Sequence, residues 1–417
     1  MRFCMLSTFY PPYHHGGDGT YLRALSVALV QRGHEVCVVH CEDACRLGAS
    51  ESALAAALSA PAASSASGGV RVVRLKSRLG LLSPLITQQT GRPGLKSKRL
   101  RQVLAEDFDV VHFHNISLLG GPGVIGLSRA PVNLYTLHEH WLICPTHILW
   151  KNKSHACEKE ECFSCSLRSG IPPQLWRQTG LLRRNLGKID RFLSPSRFTA
   201  ERHRAAGIQG EIEVLPLFSN LDPEEYADES QGRMSFVTLG RLSASKGIDV
   251  LVESFCKWPE FELHVVGDGE QLPELRRRYA GHEQIHFHGK LPQSELVPLY
   301  RRAAALILPS LAPETFGLTV VEAFACGVPA IVRIAGGNRE AIDASGAGYL
   351  YRSEAELHEL LQRFQADPSL RGSLGAKARA AFEELYTKER HVDAYLELIE
   401  GLQRAKGLRP GESAHAS

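Results

Sequence analysis

Residues 306–333 decide the fold: Leu306-Ile307-Leu308-Pro309, then Pro313-Glu314-Thr315-Phe316-Gly317-Leu318-Thr319-Val320-Val321-Glu322-Ala323-Phe324-Ala325-Cys326-Gly327-Val328-Pro329, then Ala330-Ile331-Val332-Arg333. An apolar run, a loop, a short helix from Phe316 to Ala325 and a second apolar run follow one another. Gly327 and Pro329 close the helix, because glycine takes the left-handed cap and proline cannot extend the ladder. The flanking runs are continuously apolar, which suits strands buried on both faces of a parallel sheet. Working outward, the same unit recurs. Strands are expected at Phe236–Gly240, Glu262–Val266, Ile285–His288 and Ala305–Leu308, with a helix at Ile248–Phe255. An earlier series begins at Phe3–Phe9 and continues at 36–39, 70–73, 109–114, 132–137, 190–194 and 212–215. In its first helix Tyr21, Leu22, Leu25, Leu29 and Val30 recur at helical spacing until Gly33.

The predicted class is therefore α/β, with two doubly wound, Rossmann-like domains facing each other across a cleft. The first spans 1–217 and the second 218–387. Residues 388–417 are a terminal helix (His391–Leu402) packing back on the first domain, plus a tail. The polar stretch Pro216–Gly232 reads as the connection. Residues 49–69 hold nine Ala and six Ser and read as a surface loop.

Composition bounds the function. The 417 residues are 44% hydrophobic and 22% charged, enough for a packed core, and wholesale disorder is excluded. The net charge of +3 argues against a nucleic-acid partner. That total conceals an asymmetry. Residues 1–215 carry 26 basic and 16 acidic groups, net +10, and the remaining 22 basic and 29 acidic give −7. No run of about 18 apolar residues occurs, and the opening Met-Arg-Phe-Cys-Met-Leu-Ser meets Pro11-Pro12 without reading as a signal peptide. Ten cysteines in such a chain point to a reducing cytoplasm.

The polar residues at strand ends carry the chemistry. The amino end of the helix near Phe316, Gly317, Leu318 and Thr319 offers unpaired N–H groups and a positive dipole end to an anion. Glu314 is expected in the loop, and Glu322 further along the helix suits ribose hydroxyls. Gly240-Arg241-Leu242-Ser243-Ala244-Ser245-Lys246-Gly247 places a guanidinium and an ammonium where a diphosphate would sit. Gly267 belongs to the turn Val266-Gly267-Asp268-Gly269-Glu270. Neither this turn nor Gly17-Asp18-Gly19 completes Gly-x-Gly-x-x-Gly, so a dinucleotide site is not supported.

These residues resemble those of retaining GT-B glycosyltransferases, specifically glycosyltransferase family 4, over nearly the whole chain. The resemblance rests on Glu314-x7-Glu322 in its glycine- and proline-bounded setting, on GRLSASKG, on VGDGE, and on the Gly16-Gly17 loop with its RGHEV tail. It implies a GT-B fold in which Arg241 and Lys246 neutralise the donor diphosphate, Glu322 holds the ribose and Glu314 contacts the transferred sugar. It also implies that Gly16 and Gly17 approach phosphate or acceptor through backbone N–H groups, and that His138 lies near the donor sugar. Glu139 follows His138 where the family usually has Asp. Gly336-Gly337-Asn338 matches a loop near sugar and phosphates. His112 and His114 read as packing groups behind the site.

The expected reaction moves a hexosyl-type unit from a UDP- or GDP-sugar to a hydroxyl of a glycan or lipid-linked acceptor, in cell-surface polysaccharide or glycolipid synthesis. A GT-B epimerase or phosphorylase, or a non-catalytic nucleotide-sugar or metal-binding module, is the alternative. Cys144, Cys157, Cys162 and Cys165 form an insertion at about 140–170 suited to structural Zn²⁺, with an iron–sulfur cluster as the second choice; catalysis itself needs no cofactor. Residues 71–101 carry nine Lys or Arg and no acidic residue. They suggest contact with anionic lipid, hence a peripheral position on the inner membrane face.

Overall fold

The computed structural model describes residues 1–12, 17–45, 68–158, 161–221 and 234–408. The chain divides into two compact units, one of residues 1–147, 162–215 and 388–417, the other of residues 148–161 and 216–387. The connection at 222–233 and most of the Ala/Ser-rich segment lie outside the described residues.

In chain order the strands are β1 (Arg2–Leu6), β2 (Glu35–Cys41), β3 (Arg71–Leu75), β4 (Val110–Phe113), β5 (Val132–Thr136), a short hairpin of β6 (Trp150–Lys151) and β7 (His155–Ala156), then β8 (Arg191–Ser194) and β9 (Ile212–Val214). Seven of them form a parallel sheet in the order β3-β2-β1-β4-β5-β8-β9. The second unit has β10 (Ser235–Leu239), β11 (Glu262–Val266), β12 (Ile285–Gly289), β13 (Ala305–Leu308), β14 (Ala330–Arg333) and β15 (Gly348–Tyr351). These six are parallel in the order β12-β11-β10-β13-β14-β15. In each sheet the order reverses beside the first strand, which opens a crevice at the carboxyl ends.

Each unit has its own core. Leu6, Val39, Phe113, Trp141 and Phe192 are buried in the first, and Phe236, Phe255, Phe261, Leu263 and Phe364 in the second. The final helix, Lys388–Ala405, belongs to the first unit. It is fixed there by hydrogen bonds between the Tyr21 hydroxyl and His391 (2.7 Å) and between His112 and the Tyr395 hydroxyl (2.9 Å), and by the ion pair of Arg32 with Asp393 (2.7 Å). The hairpin segment 148–161 groups with the second unit although it interrupts the first in sequence. Leu149 and Trp150 of this segment are buried.

Close backbone approach shapes the strand ends of the second unit. Gly267 has φ +135°, and a Cβ there would lie 1.9 Å from the Gly240 carbonyl oxygen. The Leu242 N–H donates to the Asp268 carbonyl at 3.0 Å, which locks the turns after β10 and β11 together. Gly267→Ala should therefore cost about 2 kcal/mol or more through overpacking and strain, a fall of roughly 4–8 °C in the calorimetric midpoint. Gly281, where an added methyl group would meet nothing within 4 Å, is the control site, and Gly281→Ala should leave the midpoint nearly unchanged.

Candidate active site

The second unit gathers its polar residues at the carboxyl ends of β10, β11, β13 and β14. Lys246 closes a short 3-10 turn, Ala244–Lys246, and Gly247 then takes φ +64° to start the helix Ile248–Phe255. A Cβ on Gly247 would meet the Pro309 carbonyl oxygen at 2.5 Å, so the glycine lets the turn after β10 lie against the strand end of β13. Lys246 Nζ reaches Glu314 Oε1 at 2.6 Å, and Ser310 Oγ donates to the same oxygen. Burial would push the Glu314 carboxyl up, but Lys246 and Ser310 together outweigh it and hold it below the usual range. The carboxylate is therefore ionised and fixed.

Glu314 is positioned by backbone as well. Its N–H donates to the Ala335 carbonyl (2.9 Å) and its carbonyl accepts from the Gly337 N–H (2.8 Å), a parallel bridge between the loops after β13 and β14. Gly336, at φ +90°, permits this, since a Cβ would lie 2.5 Å from the Glu314 carbonyl oxygen. Asn338 is buried, donates Nδ2 to the Arg333 carbonyl (3.1 Å) and has an unpartnered Oδ1.

The helix begins at Leu318 and not at Phe316, because Gly317 departs from helical geometry at φ +128°. Leu318 and Thr319 form its first turn, and Phe316 is buried edge-on against the Tyr386 ring. Glu322 lies on the same helix with its carboxyl pushed up to about 7 by burial. Arg241 is exposed at the start of its loop.

In the first unit Gly17 opens the helix Gly17–Gln31, whereas Gly16 lies outside the described residues. His138 follows β5 and stands 2.9 Å from His114 Nδ1 through Nε2. His112 lies beside His114, with ring centroids 4.0 Å apart, and is held by Thr136 Oγ1 (2.7 Å) as well as by Tyr395. Burial is the main cause that pushes all three imidazoles down, His138 to about 3, so the cluster is neutral. Sequence reading missed Asp18 and Ser310. Asp18 is pushed up to about 6, chiefly by burial and then by Glu139, while its Oδ1 accepts from the Gly19 N–H. The one available signal for Ser310 was its place four residues before Glu314 in a strand-end loop.

Cys144, Cys162 and Cys165 belong to the first unit and Cys157 to the second, and none is in a disulfide. Cys144 Sγ lies 3.2 Å from Thr146 Oγ1. The Arg177 guanidinium stacks on Trp141 and Trp176 and feels the charge of Cys144 and Cys162, though burial, the larger effect, pulls it down to about 10.

Residues 16–217 match the family model described as a glycosyl transferase 4-like domain, and residues 226–381 match that of glycosyl transferases group 1. The chain belongs to the GT-B glycosyltransferases of the family 4 type. It is 34% identical over 204 residues to D-inositol 3-phosphate glycosyltransferase 1 of Catenulispora acidiphila, covering 42% of this chain and 48% of that protein. It is 26% identical to a glycogen synthase of Mycobacterium tuberculosis, covering 92% and 90%. The chain spans about half or less of the length of the first three curated relatives it matches. Sucrose-phosphate synthase from Thermosynechococcus elongatus superimposes with a TM-score of 0.73 at 19% identity, over 97% of this chain and 99% of that one. HepE of Anabaena, solved with UDP-glucose, gives 0.65 at 18% identity, over 96% and 100%. At such identity these structures speak to the fold alone.

The elevated Glu322 predicts a pH dependence. Its folded-state carboxyl titrates near 7 and an unfolded one near 4.5, so its contribution to stability is full below the lower value and is lost as pH rises through the upper. Glu322→Gln should therefore raise stability by about 1–2 kcal/mol at pH 8 and by little at pH 4.5, discounted for partial solvent access. Thermal melts across that range check the sign.

Proposed function

We propose that the chain transfers a hexosyl-type unit, with retention at the anomeric carbon, from a UDP- or GDP-sugar to a hydroxyl of a glycan or lipid-linked acceptor, in cell-surface polysaccharide or glycolipid synthesis. The observation that carries this reading is the Lys246–Glu314 pair, built on converging strand ends beside the amino terminus of the Leu318–Ala325 helix. A diphosphate carries more negative charge than one carboxylate, so it draws the Lys246 ammonium from Glu314 to itself. Arg241 adds a second cation, and the N–H groups at the helix start donate to oxygens that the ammonium does not reach. Glu314, ionised, then accepts hydroxyl hydrogen bonds from the sugar. Glu322, close to half-protonated at neutral pH, both donates to and accepts from ribose hydroxyls.

As the glycosidic bond breaks, negative charge grows on the leaving diphosphate, and these fixed cations and dipoles stabilise it more than the ground state. The UDP-glucose bound by the structurally similar HepE supports this donor class. Lys246→Ala and Glu314→Ala should each lower turnover by more than about tenfold, the loss expected for one strong transition-state contact. Release of UDP or GDP on adding acceptor measures it in protein whose melting profile is unchanged. Wild-type transfer by both variants would overturn the assignment, and nucleotide-sugar binding without nucleotide release would favour the non-catalytic alternative.

A structural Zn²⁺ at the cysteine insertion is proposed from the residue types alone: among the described residues the group of ligand atoms close enough to share a metal ion is Glu262, His264 and His286, and the four cysteines form none.

Attachment to an anionic membrane surface is supported by an inverted helix. Leu82–Thr90 buries Ser83, Thr87 and Gln88 and leaves Gln89 and Thr90 exposed at its end. Lys96, itself buried, donates to Ser83 and Thr87, and Trp176 Nε1 donates to the Gln88 carbonyl. The leucines face outward instead, with Leu79 and Leu82 each 54% exposed and Leu81, Leu85 and Leu95 also exposed. Arg78, Arg92, Lys98 and Arg99 stand exposed nearby in sequence. Among the described residues no helix is long and apolar enough to cross a membrane, so this patch would lie in the headgroup region. Leu82→Asp combined with Leu85→Asp should cut cosedimentation with phosphatidylglycerol-containing vesicles by about tenfold at physiological salt. Unchanged binding would remove the membrane from the proposal.

A further inference from the structure

The second sheet carries a group of side chains that nucleotide-sugar transfer does not use. Along β11, Leu263 and Val265 enter the apolar core while Glu262 and His264 point to the opposite face. On the neighbouring strand β12, Ile285 enters the core, and His286 and His288 share the face of His264, with His264 directly opposite His286 in the parallel register. Two adjacent strands thus set an acidic and three imidazole side chains side by side, all half-buried. The His264 and His286 rings stack with centroids 4.8 Å apart, and His264 Nδ1 lies 2.9 Å from His288 Nε2.

We propose that Glu262, His264 and His286 form a binding site for a borderline divalent transition metal, represented by Zn²⁺. Each contributes one ligand atom, and the three atoms lie within 4.8 Å of one another. A tetrahedral zinc with bonds near 2.0–2.1 Å needs ligand atoms about 3.4 Å apart, so side-chain rotation of roughly an ångström closes the site. Two imidazoles and one carboxylate are a donor set that such a cation accepts, while Mg²⁺ and Ca²⁺ prefer oxygen ligands throughout. His288, bonded to the His264 ring, fixes its orientation in the way outer partners of metal-bound histidines do.

Arg302 is close enough to His264 to act on it electrostatically. Arg302 opposes a cation, and the Glu262 carboxylate counters it. Glu262 opens β11 and His264 stands at its middle, three residues before the Gly267 turn.

The test uses the full chain, stripped with chelator and dialysed against ZnCl₂, with bound metal counted by atomic emission. His264→Ala combined with His286→Ala should bind one equivalent less than wild type, and the same difference should persist when Cys162→Ser and Cys165→Ser are present in both proteins. Equal stoichiometry with and without the two histidines would overturn the proposal. A second measurement needs no variant. Zinc should slow diethyl pyrocarbonate modification of His264 and His286 by about fivefold or more, as expected of rings occupied most of the time. Unchanged labelling of both rings at saturating zinc would equally overturn it.

Discussion

A carboxylate and an ammonium 2.6 Å apart, Glu314 and Lys246, are held there by backbone more than by each other. Glu314 sits in a loop that is bridged on both sides to the loop after β14, and Lys246 ends a turn that Gly247 lets settle against Pro309. The surrounding features follow from that convergence. Ser310 reaches the carboxylate because it leaves the same strand, and the helix at Leu318 starts where Gly317 turns the chain back over the sheet. A parallel sheet makes this geometry available, since all its carboxyl ends lie on one edge and each can deliver a loop to the same crevice.

Electrostatics divide the polar groups by role. Glu314 is kept ionised by specific partners, whereas Glu322 rises to about 7 because burial is not offset. Two carboxyls eight residues apart therefore carry different charge at neutral pH, which fits one for fixed negative charge and the other for exchanging hydrogen bonds. In the first unit the three clustered histidines are neutral for the same reason that the Glu322 carboxyl is pushed up: an unpaired charge is unfavourable away from water. The hydrogen bonds of His112 to Thr136 and Tyr395 tie β4, β5 and the final helix into one polar core.

Much of this is legible in the residues. Continuous apolar runs bounded by glycine mark the strands of both sheets, because burial on both faces leaves little choice of side chain. Glu314, Lys246 and Arg241 can be placed at strand ends because their loops are short. Spacing alone starts the Phe316–Ala325 helix two residues early, since Phe316 is apolar and only the φ of Gly317 reveals the break. The basic run 71–101 looks uniform in sequence. In space Lys96 is a buried cross-link, Arg71 pairs with Glu106 and Lys76 with Glu42, so its outward charge is smaller than the count.

Sequence alone determined the βαβ repetition, the two-sheet plan and the chemical character of the strand-end loops, because hydrophobic periodicity and glycine placement act over a few residues. Tertiary structure decided which side chains meet. The inward polar face of Leu82–Thr90, the His264–His286 pairing across two strands and the elevation of Glu322 all depend on groups distant in the chain. Their energies come from burial and from cross-strand distance, and neither quantity exists until the sheets have assembled.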